Sequence, residues 1–117
     1  MPANELNLTI EQGATFENLI TFKDGDLVPI DVTSWTIVGQ IRKTWDSATI
    51  VKSFTFTKAN QMTSPGQVTM SLTDTETTAI PATERTTEYV YDVEATVSGK
   101  KYRLMQGAVY LSAEVTR

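Results

Sequence analysis

Apolar and polar residues alternate with a period of two along most of this chain. That alternation is the pattern of strands with one face against a core and the other in water. It runs longest near the C-terminal end, where Tyr89, Tyr91, Val93, Ala95 and Val97 interleave with Val90, Asp92, Glu94, Thr96 and Ser98. Ser98-Gly99-Lys100 interrupts it as a turn and Tyr102-Arg103-Leu104 restarts it, so residues 88–117 predict one long hairpin. On the return strand Tyr102 and Leu104 hold even positions while Val109, Leu111 and Val115 hold odd ones, a phase change that predicts a β-bulge near Gln106-Gly107. A hairpin cannot bury its aromatic face alone, so the remainder of the chain must cover it.

The upstream pattern supplies the cover. Leu6, Leu8 and Ile10 predict a first strand, broken at Gln12-Gly13, and Phe16, Asn18, Ile20 and Phe22 a second, ending in a Lys23-Asp24-Gly25-Asp26 turn. Val28-Pro29-Ile30 reads as a short edge segment, because proline cannot donate to a ladder. Trp35, Ile37, Gly39 and Ile41 make a third long strand, with Trp35 bulky enough to anchor a core. Ile50, Lys52, Phe54 and Phe56 share one face of a fourth strand, and Val68, Met70 and Leu72 one face of a fifth. Only residues 74–80 look helical, with Thr73 or Asp74 as N-cap and a stop at Pro81. About seven strands with regular turn signals and no crossover helix predict an all-β fold, an antiparallel immunoglobulin-like β-sandwich formed by residues 1–117 as a single domain. The order Leu72, Ala79, Tyr89 suits the corner where such folds bury a tyrosine.

Composition narrows function mainly by subtraction. The 117 residues are 40% hydrophobic and 21% charged, ordinary for a globular chain. With no cysteine there is no disulfide, thiolate metal site or cysteine nucleophile, and with no histidine the commonest metal ligand and neutral-pH base are missing. No enzyme and no cofactor is expected. A net charge of −4 with scattered basic residues disfavours nucleic acid. No apolar run approaches the roughly 18 residues of a membrane span, and the N-terminus lacks the basic and apolar regions of a signal peptide. A protein made in the cytoplasm, with no membrane partner, is the expectation.

Several residue groups could carry chemistry, and most have a plainer explanation. Asp24, Asp26 and Asp31 are hard oxygen ligands in principle, but their spacing matches no calcium loop and Asp-Gly turns need no metal. Asp92 and Glu94 lie two apart on one strand face, which is also how charges decorate any wet face. Lys100, Lys101 and Arg103 around Tyr102 form a weak polyanion motif, or a charged hairpin tip that discourages edge aggregation. Trp45 stands out. It sits in a polar loop beside Asp46 and Ser47, either as an anchor for a partner or sugar ring or as a lid folded over the end of the sandwich.

Two stretches resemble a family of small tailed-bacteriophage proteins and domains. One is LNLTIEQGATFENLITFKDGDLVPIDVTSWTIVGQIRK, with its Gln-Gly-Ala-Thr-Phe link and its Pro-Ile-Asp-Val-Thr corner. The other is Tyr89 to Glu94, followed by Arg103-Leu104, Gly107, Val109 and the closing Ser112, Glu114, Val115, Thr116 and Arg117. Similar domains stand at the N-terminus of phage baseplate upper proteins, where an immunoglobulin-like module attaches receptor-binding parts to the tail. The resemblance implies a noncatalytic virion structural protein, located in the particle, that docks onto other virion structural proteins of the tail, neck, baseplate or capsid and forms a homo-oligomer. The expected contact residues are Leu6, Leu8 and Ile10, on an exposed N-terminal strand edge, and Trp45. The alternative is a carbohydrate- or host-receptor-binding module of the virion, built on Trp45.

Overall fold

The computed structural model describes residues 4–116; Arg117 of the closing pattern lies outside them. Nine strands and one short helix follow in the order β1 (Asn4–Glu5), β2 (Leu8–Glu11), β3 (Phe16–Thr21), β4 (Thr36–Arg42), β5 (Lys52–Ser53), β6 (Thr55–Lys58), β7 (Gln67–Leu72), α1 (Asp74–Thr78), β8 (Thr86–Val97) and β9 (Lys100–Ser112). They form two sheets. The larger runs β1-β9-β8-β4-β5, with β2 also on β9, and the smaller runs β3-β7-β6. Every pairing is antiparallel except that of the N-terminal ribbon β1–β2, which lies parallel to β9. The β4-β8-β9 and β3-β7-β6 orders are those of the two facing sheets of an immunoglobulin-like sandwich.

The alternation seen in the sequence becomes the inside and outside of these sheets. Ile10, Ile41, Val68, Met70, Val93, Val109 and Leu111 are wholly buried between them, with Tyr89 and Tyr91 beside them. α1 is capped as its sequence predicts. Thr73 Oγ1 accepts from the Glu76 amide at 3.1 Å while Glu76 Oε1 accepts from the Thr73 amide at 2.9 Å, a reciprocal capping box. The predicted tyrosine corner is present too, with the Tyr89 hydroxyl donating to the Pro81 carbonyl.

Four expectations are corrected. The fourth strand is two strands, because the chain leaves the larger sheet and joins the smaller one at Phe54. The ring of Phe54 fills the gap that the switch opens, lying 6.0 Å from both Phe16 and Tyr91. Trp35 precedes β4 and packs on Phe22 at 5.7 Å, with the core centre left to Phe54 and the aliphatics. The bulge sits opposite Val93/Glu94, where Leu104 is the extra residue, rather than at Gln106-Gly107. The hairpin ladder ends at Ser112, leaving Val115 91% exposed.

Gly107 has a different job. A Cβ there would stand 2.3 Å from the Leu6 carbonyl oxygen, so only glycine lets the N-terminal ribbon cross so closely. The freed carbonyl of Leu6 accepts from the Tyr91 hydroxyl at 2.6 Å, and Asn7 Oδ1 takes over the Ala108 amide at 3.0 Å.

Candidate binding groove and open edge

The two sheets treat their outer faces differently. On the larger sheet the even positions of β4 and β8 turn outward, giving Gln40, Arg42, Val90 and Asp92. Their register sets Gln40 beside Asp92, and Asp92 beside Gln106 of β9. Small Val90 and Ala108 pair at the floor, flanked by Glu5 and Asn7 of the ribbon on one side and by the 43–49 loop on the other. The result is a groove of about 520 Å³ that also takes in Arg103, Gly107 and the edge of Tyr91.

Its polar lining is held by internal hydrogen bonds. Arg42 donates to the Ser47 carbonyl at 3.0 Å and to Gln40 Oε1 at 2.8 Å, so it staples the loop down and orients Gln40. Gln106 donates to Glu5 Oε1 at 2.8 Å, and Arg103 Nε lies 3.6 Å from Asp92 Oδ2. The stapled loop carries Trp45 at the rim, 87% exposed. Thr44 donates to Asp46 at 2.7 Å within the same loop. Trp45 therefore overhangs the larger sheet and is no lid on the sandwich end. Behind the groove, burial and the nearby Glu5 carboxylate push the Tyr91 phenol up to about 12. The hydroxyl thus stays a donor to Leu6.

The N-terminal contact residues fall into two groups. Leu8 and Ile10 are core residues, 5% and 0% exposed, while Leu6 stays 42% exposed. What the ribbon presents outward is backbone. The Leu6 and Gln12 amides donate to Gln106 and Ser112 of β9, so the even residues face β9 and the Thr9 amide and carbonyl turn to the outer side. No strand pairs with that side among the described residues.

The other candidates take their plainer readings. Asp24 Oδ1 accepts from the Asp26 and Val28 amides, and Asp31 accepts from Thr33 twice, contacts that hold its carboxyl below the usual range. Among the described residues no cluster of three metal-ligating side chains exists. Asp92 pairs across the hairpin with Arg103 rather than along its strand with Glu94. The residues that sequence reasoning missed are Glu5, Asn7, Gln40, Arg42 and Gln106. The signal lay in the even positions of β4, but a bulge placed at Gln106 takes that residue out of register with Asp92.

A family model for the LtfC-like β-sandwich domain matches residues 2–112. The chain belongs to that family. No curated protein sequence matches it. Among solved structures, this LtfC-like domain is similar to the NK cell receptor NKp44, described as a triggering partner in natural cytotoxicity. That match has 12% identity and a TM-score of 0.44 over 97% of this chain and 100% of the other. Murine CRIg is similar at 7% identity and a TM-score of 0.42, covering 92% of each chain.

Proposed function

We propose that this domain is a noncatalytic structural module of a bacteriophage particle, docking onto other virion proteins in several symmetric copies. Membership of the LtfC-like family, whose namesake is phage-related, supports the setting. The observation that carries the docking role is the open outer edge of the β1–β2 ribbon. The ribbon is pinned by Leu8 and Ile10 in the core and by the Tyr91–Leu6 hydrogen bond, yet among the described residues no strand pairs with its outward backbone groups. A pre-ordered edge can accept a partner strand through main-chain hydrogen bonds, with little ordering cost. An attachment role of this kind is what the resemblance to baseplate upper proteins implies.

Deleting the ribbon would test the core and the edge together, since Leu8 and Ile10 leave with it. Thr9→Pro is cleaner. It removes one outward donor at a position where an edge strand tolerates proline. The variant should keep its thermal midpoint while its recovery in purified particles falls about tenfold or more. Normal incorporation would overturn docking through this edge.

A second reading, recognition of a host-surface ligand by the module, is favoured by the groove beneath Trp45. There a large aromatic surface faces water above a lining of oriented polar groups.

A further inference from the structure

We propose that the groove beneath Trp45 binds a neutral saccharide, with the indole stacked on a sugar ring and the planar polar side chains below it reading the hydroxyls. This rests on the host-surface reading and names the ligand class that the groove fits.

Three features point there. The first is charge. The carboxylates of Glu5 and Asp92 are matched by the guanidiniums of Arg42 and Arg103, so the lining has no excess of either sign. An anionic polymer would meet two carboxylates, and a cationic peptide two guanidiniums. An uncharged, polyhydroxylated ligand meets neither penalty. The second is donor and acceptor balance. Sugar hydroxyls donate and accept, so their site needs both kinds of group in fixed orientation. Gln40, Arg42 and Gln106 each use part of their capacity on a protein partner, which orients the side chain and leaves further N–H groups for a ligand. The Asp92 carboxylate sits among them as an acceptor.

The third is shape. Ala108 and Val90 keep the floor low, and a volume of about 520 Å³ lies within the roughly 300–1,000 Å³ of small-ligand clefts. A cleft for an apolar ligand would be lined mostly by apolar side chains, whereas here polar groups surround a narrow apolar floor. Trp45 completes the arrangement. An aromatic face can cover the apolar C–H face of a pyranose while the hydroxyls point down to the lining.

The test uses Trp35→Phe, which leaves Trp45 as the sole tryptophan, excited selectively over the tyrosines. The probes are maltohexaose, isomaltohexaose, chitohexaose and a rhamnose hexamer, with polysialic acid and a glycerol-phosphate polymer as anionic controls. At least one neutral hexamer should shift the emission saturably while the anionic polymers do not. Calorimetry on the native chain should give the same affinity, and Trp45→Ala should weaken it about tenfold or more. Gln106→Ala should weaken it about threefold with unchanged circular dichroism. Flat titrations with every neutral hexamer, or binding that survives Trp45→Ala, would overturn the proposal. Labelled protein is also applied to a panel of bacterial cells treated with periodate or protease. Attachment lost to periodate and to Trp45→Ala supports the saccharide. Attachment lost to protease alone overturns the saccharide but leaves host-surface recognition standing. No attachment to any strain, with flat titrations, overturns both.

Discussion

The two outer faces of this sandwich solve the same physical problem with different residues. On the smaller sheet the outward positions are Glu17, Leu19 and Thr21 of β3, Gln67, Thr69 and Ser71 of β7, and Thr55 and Thr57 of β6. Five of these eight are threonine or serine, which are polar, compact and, for threonine, suited to the pleat; Glu17, Leu19 and Gln67 are the exceptions. On the larger sheet the equivalent positions carry longer, charged or amide side chains that bond to one another, under a loop that holds a tryptophan in water. Folding alone asks for nothing beyond what the smaller sheet supplies. The surplus on the larger sheet is therefore where binding is to be sought. The contrast extends to the edges, since the ribbon that walls the groove is also the ribbon whose outer side is open.

The comparison breaks most visibly at Gly107. Gly107→Val puts a side chain against the Leu6 backbone, where no side-chain rotation can relieve it. The ribbon must shift, and the Tyr91–Leu6 bond and the groove wall go with it. We expect a loss of about 1–3 kcal/mol in urea denaturation, in the range of overpacked sites. Thr69→Val on the opposite face should stay within about 0.5 kcal/mol of the native chain. Equal losses at the two positions would show that the faces are structurally equivalent and that the ribbon is no special wall.

A smaller effect separates the faces by pH. The Tyr91 phenol titrates at about 12 in the folded chain against 10.0 for the free side chain. Its folded form therefore holds the proton more tightly, so the stabilisation is fully present below about pH 10 and lost as pH rises towards 12. Burial raises Tyr89 in the same direction. Tyr91→Phe should cost about 1 kcal/mol at neutral pH, the worth of one hydrogen bond, and should flatten the alkaline decline without abolishing it. Denaturation midpoints measured from pH 8 to about 12 decide it. An unchanged slope would mean that burial and Glu5 do not raise this phenol, and an unchanged midpoint at neutral pH that Leu6 is not held by its hydroxyl.

Much of this architecture was legible in the alternation, and the exceptions share a cause. β7, β8 and the capped helix follow from residues close in sequence, namely Val68-Met70-Leu72, the Tyr89–Val97 run and the Thr73/Glu76 pair. The sheet switch at Phe54 left only a faint local mark. Ile50-Val51-Lys52-Ser53 does not alternate, Val51 packs on the core while Ile50 is exposed, and the alternation resumes in the other phase at Phe54 and Phe56. The bulge was visible as a phase change, but the odd-even count between Leu104 and Val109 does not say which residue is extra. That small uncertainty hid the groove. Its members come from β1, β4, β8 and β9, and they share a face only once the β8–β9 register is known. Trp45 was legible as an apolar residue in polar company, while what lies beneath it depended on that register.

The smallest effect bears most directly on why Trp45 is there. A buried tryptophan removed to alanine costs about 3–5 kcal/mol. Trp45 is 87% exposed, and the loop beneath it is held by Arg42 and by the Thr44–Asp46 hydrogen bond, neither of which uses the indole. Trp45→Ala should then change stability by less than about 0.5 kcal/mol, the level of an ordinary surface substitution. A large loss would mean that the ring is a structural lid after all and would merge the two outer faces into one class. A negligible loss, set beside weakened ligand binding by the same variant, would place the contribution of this side chain wholly outside the fold. An exposed indole also carries a standing cost, because it keeps a large apolar surface in water and invites nonspecific association. The saccharide proposed above would cover that surface and offset the cost.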